Sequence, residues 1–165
     1  MIRRDMPEVL RIETLSTEHP WCEEDFLRCL RQRNCIGMVA EHGEEVVGFM
    51  IYKLHRTKLV VLNLAVHPEH RFHGVGTEMA EKLVSKLKSH RRTVVEIPVR
   101  ETNLDAQIFL RAANIGERNL GFRAVVQQED AYPDTGESAI LFAYDLNRPA
   151  EWRSERATKS RRCQR

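Results

Sequence analysis

The first third of the chain has a pattern of apolar and polar residues that predicts one short strand and two helices. Residues 1–4 are predicted to form the strand, and Pro7 marks a helix start, because proline is tolerated in a first helical turn. Apolar residues continue at close to helical spacing up to Leu15, and the following His-Pro pair ends this helix. Residues 21–33 carry their apolar side chains on one side, which predicts a second, amphipathic helix.

From residue 36 onward the pattern changes to that of β-strands. Three runs rich in β-branched residues predict an antiparallel meander, with a turn at residues 42–45 between the first two. The helical period then returns, and shorter strands and one more helix complete the chain. The predicted elements are strands at 36–41, 46–54 and 58–66, a helix at 75–90, a strand at 93–99, a helix at 105–113, a strand that ends at 128 and a last strand at 138–146.

This order of elements predicts the fold class. The elements follow one another as β, α, α, β, β, β, α, β, α, β, β, which is neither the strict alternation of a parallel α/β fold nor a division into α and β halves. A chain of 165 residues can bury one adequate core, and a second full domain would not fit. We therefore predict a single mixed α/β (α+β) domain over residues 1–147.

Composition narrows the class of protein. Hydrophobic residues make up 42% of the chain, but no apolar run is long enough for a membrane-spanning helix or a secretory signal, which favours a cytoplasmic protein with no membrane partner. The four cysteines form no C-x-x-C pair and no metal-ligand spacing with the histidines. They are therefore predicted to be reduced thiols.

Charge is distributed unevenly along the chain. The net charge of +2 combines residues 148–165, where seven Arg or Lys against two Glu give +5, with a remainder of −3. This tail has too few apolar residues to fold alone and is predicted to be solvated and disordered. Nucleic-acid binding by the folded domain is not expected, although contact of the basic tail with a ribosome or RNA stays open.

The segment of residues 62–77, with the sequence LNLAVHPEHRFHGVGT, is the part of the chain that indicates a chemistry. It runs from a strand through a proline turn into the glycine-rich start of a helix. Backbone N–H groups at a helix N-terminus have no partner within the helix, so an anion such as a pyrophosphate binds there. Gly74 and Gly76 would let the backbone come close to it. Taken alone, a G-x-G sequence is equally compatible with glycines that only cap a turn.

Two common phosphate-binding motifs do not match this segment. A Walker loop needs Gly-Lys-Ser or Gly-Lys-Thr, and a Rossmann fingerprint needs a third glycine and an acidic residue after the next strand. The segment instead resembles the R-x-x-G-x-G signature of the GNAT acetyltransferase superfamily, with Arg71, Gly74 and Gly76 at its fixed positions. Within that superfamily the chain is similar, over residues 2–146, to the bacterial ribosomal-protein alanine N-acetyltransferases. The similar segments are RIE at 11–13, PW at 20–21, VRETN at 99–103, LGF at 120–122 and YP at 132–133.

The resemblance implies a fold and an acetyl-CoA site. A mostly antiparallel sheet of six to seven strands, flanked by four helices, is expected to splay like a V between strands 58–66 and 93–99, with the pantetheine arm in the gap. The backbone of Leu64, Ala65 and Val66 is expected to pair with the pantetheine and to polarise the thioester carbonyl. The other expected cofactor-binding residues are Arg71, Phe72, His73, Gly74, Val75, Gly76, Thr77 and Asn103.

The same resemblance implies direct transfer of acetyl from acetyl-CoA to a protein or peptide amine by a monomer or weak dimer. An N-terminal α-amine has a pKa of about 8, against about 10.4 for lysine, and so loses its proton more easily. The preferred acceptor is therefore a protein or peptide N-terminus, for which a ribosomal protein is a candidate. Acetylation of a small-molecule amine and a catalytically weak acyl-CoA-binding module stay open as alternatives.

The sequence departs from the resembled family at both catalytic side chains. The family's strand glutamate, its base, falls on Pro98, and the family's helix tyrosine, its acid, falls on Leu110. Glu96 shares a strand face with Pro98 and is the candidate base, acting through water. Tyr132 is the candidate for orienting the peptide or protonating the thiolate. A solvated or paired carboxylate is the alternative for Glu96, and an ordinary loop aromatic is the alternative for Tyr132. Residues 114–119 have the character of an insertion beside the site.

Three histidines near the motif raise the question of a metal site. His67, His70 and His73 lie three residues apart, but a proline between the first two prevents a continuous helix. Their spacing therefore does not place them on one face, and no metal is expected. His73 is instead predicted to add a hydrogen bond or charge near the phosphates.

Overall fold

The computed structural model describes residue 1, residues 3–112 and residues 122–147, which form a six-stranded sheet and four helices in the predicted order. The helices are α1 (Met6–Ser16), α2 (Glu23–Leu30), α3 (Val75–Val84) and α4 (Leu104–Ala112). The strands are β1 (Cys35–His42), β2 (Glu45–Leu54), β3 (Lys58–Val66), β4 (Val94–Arg100), β5 (Arg123–Tyr132) and β6 (Glu137–Asp145). The predicted mixed α/β class is confirmed, while the expected insertion at 114–119 and the basic tail lie outside the described residues.

The sheet has the strand order β1-β2-β3-β4-β6-β5 and is mostly antiparallel, as expected. Its one parallel pair is β3 with β4, and this pair is short. Only residues 58–60 of β3 pair with residues 94–96 of β4, whereas β2 follows β3 as far as Val66 and β6 follows β4 as far as Arg100. Beyond Val60 and Glu96 the two halves of the sheet therefore diverge, which confirms the predicted splay.

The two faces of the sheet are covered differently. On one face, a core that includes Val95, Ile97 and Val99 of β4 packs with apolar side chains of α3 and α4. On the other face, α1 and α2 pack mainly on β1, β2 and β3, and Phe26 and Phe49 are fully buried there. Because side chains alternate along a strand, the remaining side chains of β4 point to this second face. The part of this second face that lies on β4 and β6 is called the groove face below.

Two predicted elements are corrected by the structure. Residues 1–4 do not form a strand, since Arg3–Asp5 make a single 3₁₀ turn that leads directly into α1, where Pro7 occupies the first turn. The helix predicted at 75–90 ends at Val84, and tighter bonds from Lys86 N to Leu83 O and from Leu87 N to Val84 O follow it. Leu87 stays buried in this turn, so the apolar spacing continues past the helix itself.

No helix in the described part of the chain has the length and apolar character needed to cross a membrane.

Candidate functional site

The gap between β3 and β4 exposes backbone groups of β3. His67 N donates to Val47 O of β2, and because backbone polar groups alternate in direction along a strand, those of Leu64 and Val66 point away from β2 and into the gap. An irregularity in the β2–β3 register leaves Leu62 without a partner in β2, immediately before this stretch. Of the predicted stretch 64–66, Leu64 therefore offers its backbone groups to a ligand in the gap, whereas Ala65 is buried and turned to β2. Val66 offers its N–H, because its carbonyl already accepts from Arg71 Nε and Ser16 Oγ.

The β4 side of the gap explains why a proline is tolerated at position 98. Thr93 O accepts from Leu146 N at 2.8 Å and Glu101 N donates to Ser138 O at 3.1 Å, so the odd-numbered residues bond with β6. The backbone of Pro98 consequently faces the gap, where β4 has no partner strand. Its missing N–H costs the sheet no hydrogen bond.

The loop before α3 has the geometry of an anion-binding turn. Arg71 Nε donates to Val66 O at 3.2 Å, which ties the loop to the end of β3, and His73 Nδ1 donates to Arg71 O at 2.7 Å. Phe72 and Gly74 both have left-handed backbones, with φ of 64° and 88°, and the Phe72 ring is fully exposed. These positive φ values mark a tight bend of the chain immediately before α3.

The N-terminus of α3 supplies the amides that the motif predicts. Glu78 N donates to Gly74 O at 2.9 Å, which is a bond of the first helical turn. The amides of Val75, Gly76 and Thr77 come before it and therefore have no acceptor within the helix. A Cβ on Gly76 would lie 3.2 Å from Phe109 Cζ and 3.8 Å from Val66 Cγ2. Gly76 therefore lets α3 approach α4 and the end of β3, and these residues suit a bound pyrophosphate.

Asn103 has a structural role in addition to the one expected for it. It precedes α4, and its Oδ1 accepts from Ala106 N at 3.0 Å, which caps the helix. Its exposed side chain therefore retains only the amide Nδ2 as a donor for a cofactor.

Tyr132 belongs to a charged cluster that joins the β5–β6 hairpin to the end of β4. The Arg100 guanidinium lies over the Tyr132 ring, 3.9 Å from its centre, and donates to Glu137 Oε2 and Asp134 Oδ2 at 2.9 Å each. Thr102 donates to Glu137 Oε1 through its backbone N at 2.9 Å and its hydroxyl at 2.6 Å. Burial raises the pKa of Tyr132, the nearby Arg100 charge notwithstanding, so its hydroxyl stays protonated at neutral pH.

The acidic members of this cluster are held ionised. Hydrogen bonds from Thr102, followed by the Arg100 pair, lower the pKa of Glu137 to about 2. Burial alone would raise the pKa of Asp134, but the Arg100 hydrogen bond and charge lower it, with a further contribution from His19.

Glu96, the candidate base, lies outside the charged cluster around Arg100 and forms an ion pair with Lys58. Its Oε2 accepts from Lys58 Nζ at 2.7 Å, and its side chain is only 20% exposed. It occupies the last position of β4 that pairs with β3, opposite Val60, whereas Leu64 lies four residues further along β3, roughly 13 Å at strand spacing. The structure therefore separates Glu96 both from the open part of the gap and from Tyr132, which lies beside Arg100.

The position of the family's helix tyrosine is also remote from the groove face. Leu110 is buried in the core on the α3 and α4 side of the sheet, and its carbonyl accepts from Phe122 N at 2.9 Å. A hydroxyl at this position would face apolar side chains, so leucine suits this core.

Sequence reasoning missed one buried carboxylate beside the gap. Glu13, in the last turns of α1, is 2% exposed, and its Oε1 accepts from Trp21 N and from Asn63 Nδ2, both at 2.9 Å. Burial raises its pKa, although both hydrogen bonds lower it. The sequence signal was its position four residues after Val9 on the apolar side of the helix. The Trp21 ring itself packs edge-on against Phe26, 5.4 Å between centres, as a hydrophobic staple.

The histidines of the motif do not converge on a common point. The His67 and His70 rings lie 5.8 Å apart in an edge-on contact, and His67 Nδ1 accepts from Glu69 N at 3.3 Å. Among the described residues, no group of three or more His, Cys, Asp or Glu could hold a metal ion.

Comparison with known proteins identifies a family and relatives of similar amino-acid sequence. The model of the "Acetyltransferase (GNAT) family" matches residues 3–114. The [Ribosomal protein bS18]-alanine N-acetyltransferase of Escherichia coli K12 is 25% identical over 145 residues, which are 87% of this chain and 93% of the relative. The enzyme of the same name from Salmonella typhimurium is 23% identical over the same shares of the two chains.

Solved structures show the same fold. The crystal structure of the E. coli ribosomal-protein-S18-alanine N-acetyltransferase superposes with a TM-score of 0.73 at 22% identity, covering 88% of this chain and 90% of the other. Arabidopsis thaliana NAA60 in complex with acetyl-CoA superposes with a TM-score of 0.69 at 17% identity, covering 88% and 96%. Because the family model matches more than half of the chain, this protein belongs to the acetyltransferase (GNAT) family and is an N-acetyltransferase with acetyl-CoA as its co-substrate.

Proposed function

We propose that this enzyme transfers acetyl from acetyl-CoA directly to the N-terminal α-amine of a protein or peptide. The observation that carries this proposal is the open gap between β3 and β4, with the Arg100 and Tyr132 cluster of the β5–β6 hairpin at the end of β4. A gap bordered by a hairpin wall suits an extended peptide, whose end then reaches the place where β3 and β4 part. A small amine would need no such wall.

The expected cofactor contacts fit this arrangement. With the pyrophosphate on the amides of Val75, Gly76 and Thr77, the pantetheine would extend along the gap side of β3 towards Leu64 and Val66. A backbone N–H of β3 directed at the thioester oxygen would stabilise the oxyanion that forms during transfer. Acetyl-CoA would thereby occupy the place of a neighbouring strand.

The transfer itself needs a neutral amine and a protonated leaving group. The amine nitrogen forms a bond to the thioester carbon and releases one proton to water, the carbon–sulfur bond breaks, and the thiolate takes up a proton. Tyr132 is the side chain we propose as the donor of that proton or as a ligand of the peptide backbone, because its hydroxyl is protonated and it lies at the hairpin wall of the groove. An α-amine with a pKa of about 8 is partly neutral at physiological pH. Glu96, paired with Lys58, is not needed as a base in this proposal.

The relatives support a particular class of acceptor. The E. coli and Salmonella enzymes are named for the alanine of ribosomal protein bS18, so a ribosomal protein with an N-terminal alanine is the acceptor we propose to test first. Such an acceptor would place the enzyme in the cytoplasm, and the basic segment 148–165 would add attraction to a ribosomal surface.

The test measures CoA-thiol release from acetyl-CoA with two peptides of one sequence. One has a free N-terminal alanine, and the other has a blocked N-terminus but free lysines. Release with the first peptide alone is the expected result. Release with the blocked peptide alone would replace the proposal with lysine acetylation, and release only with small amines would replace it with a small-molecule acetyltransferase.

A hydroxyl deletion tests the role of Tyr132. Tyr132→Phe is expected to lower kcat by about 10² or more, the usual contribution of an acid in the transition state. Tyr144→Phe is the matched control, since Tyr144 is buried on the α3 and α4 side of the sheet. Equal kcat values for the two variants would remove Tyr132 from the mechanism.

A further inference from the structure

Glu13 is a buried carboxylate that the acetyl-CoA site does not use. It lies near the C-terminal end of α1, where the helix dipole disfavours a negative charge. Burial of a carboxylate costs several kcal/mol in addition, which two hydrogen bonds offset only in part. A charge placed against both preferences, beside the gap of the sheet, indicates a function other than stability.

The hydrogen bonds of Glu13 determine how Asn63 is oriented. An ionised carboxylate only accepts hydrogen bonds, so the Asn63 amide must turn its Nδ2 towards Glu13 Oε1, at 2.9 Å. The carbonyl Oδ1 is then directed away from α1. In the described part of the chain no residue donates to this Oδ1, and the Asn63 side chain is partly exposed. Asn63 thus presents an unused acceptor whose direction is set by Glu13.

Asn63 lies where a substrate amine would arrive. It is the residue before Leu64 on β3, three positions past the last pair with β4, so it lies where the gap opens. Its contact with α1 places its side chain on the α1 and α2 side of the sheet, next to the groove face to which Arg100 and the other even-numbered side chains of β4 point. An ammonium or amine group carries N–H donors only, and an amide oxygen is a suitable partner for it.

We propose that Glu13 is a positioning residue that directs Asn63 Oδ1 at the N–H groups of the incoming α-amine. This inference rests on the proposed function, because it assigns a recognition site for the free N-terminus. The Asn63 oxygen binds the amine beside the thioester position, and the Glu13 carboxylate behind it adds attraction for the ammonium form. The bond from Trp21 N to the same Oε1 fixes the α1–α2 connection relative to this acceptor.

The test compares two peptides that bind to the complex of enzyme with CoA. One begins with a free alanine, and its desamino analogue begins with a propionyl group and so lacks only the amine. The wild type is expected to bind the free amine about ten- to a hundredfold more tightly, the range of a hydrogen bond that involves a charged group. The readout is a ratio of two affinities measured on one protein, so a partial loss of folded enzyme cancels.

Three variants separate recognition from structure. Asn63→Leu and Glu13→Ala are expected to bring the ratio close to one, with unchanged affinity for the desamino peptide and for CoA. Glu13→Gln keeps an acceptor oxygen for Asn63 and is expected to retain a measurable preference for the amine. Glu8→Gln, an exposed change on the same helix, is expected to keep the full preference.

The outcomes that refute the inference differ from those that refute the proposed function. If Asn63→Leu or Glu13→Ala keeps the wild-type ratio, or if the wild type itself binds both peptides equally, the amine site is refuted while acetylation of N-termini stands. If the wild type acetylates no peptide with a free N-terminus, the proposed function is refuted, and the inference with it.

Discussion

The two glycines of the R-x-x-G-x-G segment are required for different reasons, and a pair of substitutions separates them. Gly74 has a left-handed backbone with φ of 88°, and nothing lies within 4 Å of an added Cβ. Alanine there is expected to cost about 1–2 kcal/mol from the backbone alone. Gly76 is helical, but its added Cβ would lie 3.2 and 3.3 Å from two atoms of the Phe109 ring, inside the roughly 3.5–4.0 Å of a favourable carbon contact.

The two substitutions are expected to lower the free energy of unfolding by similar amounts, although for different physical reasons. At Gly76 an overpacking cost of about 1–3 kcal/mol is reduced by the roughly 1 kcal/mol that alanine gains over glycine in a helix. The single substitutions Gly74→Ala and Gly76→Ala therefore do not by themselves distinguish the two causes. A second substitution, at Phe109, distinguishes the two causes, because of the two glycines Gly76 alone would place a Cβ against the Phe109 ring.

The assay is a double-mutant cycle by urea unfolding, followed by circular dichroism. Combined with Phe109→Leu, which removes the ring atoms concerned, Gly76→Ala is expected to show a favourable coupling of about 1 kcal/mol, and Gly74→Ala less than about 0.5 kcal/mol. An equal coupling for both glycines, or none for Gly76, would refute the assignment of steric contact to one and backbone strain to the other.

Three further outcomes are expected. Phe72→Asn should raise the free energy of unfolding by about 0.5–1 kcal/mol, since asparagine tolerates the left-handed backbone and the exposed ring makes no packing contact to lose; a fall in thermal midpoint would show that the ring is in contact. Glu137 has a pKa lowered from 4.5 to about 2, so it stabilises the fold above pH 4.5 and loses that contribution as the pH falls towards 2. Glu137→Gln should therefore flatten the acid dependence of stability in that interval, and an unchanged slope would contradict the Thr102 and Arg100 bonds. Glu96→Gln should lower kcat/KM less than about threefold, whereas a loss above about a hundredfold, with the acid limb of the pH profile gone, would restore Glu96 as the base.

Local patterns were sufficient to predict most of the fold. The apolar periods indicated each helix and strand from α1 to β6, and the motif indicated that the loop before α3 suits an anion. The errors arose at the ends of helices and at the first residues of the chain, because apolar periodicity does not show where an element begins or stops. Leu87 continues the apolar spacing of α3 although the helix has ended at Val84, and the first residues are too few to form a strand before Pro7 starts α1.

The site was harder to predict because its contacts join residues that are distant in sequence. Arg100 bonds with Asp134 and Glu137, 34 and 37 residues away, and Asn63 bonds with Glu13, 50 residues away. No local spacing connects such pairs. Alternation along β4 placed Glu96 on the face of Pro98, but its partner Lys58 lies 38 residues away, which no local spacing indicates. Its role as a base stays a prediction.

The short pairing of β3 with β4 also affects how the enzyme should behave during turnover. Within the described chain, three residue pairs make up the backbone ladder between the N-terminal and C-terminal halves of the sheet. A ligand that bridges the open part acts as a clamp between these halves and, at a hundredfold excess over its Kd, stabilises the fold by about 2.7 kcal/mol. If CoA spans the same gap after transfer, as proposed above, its departure requires this clamp to open, and product release rather than bond formation is then expected to limit kcat.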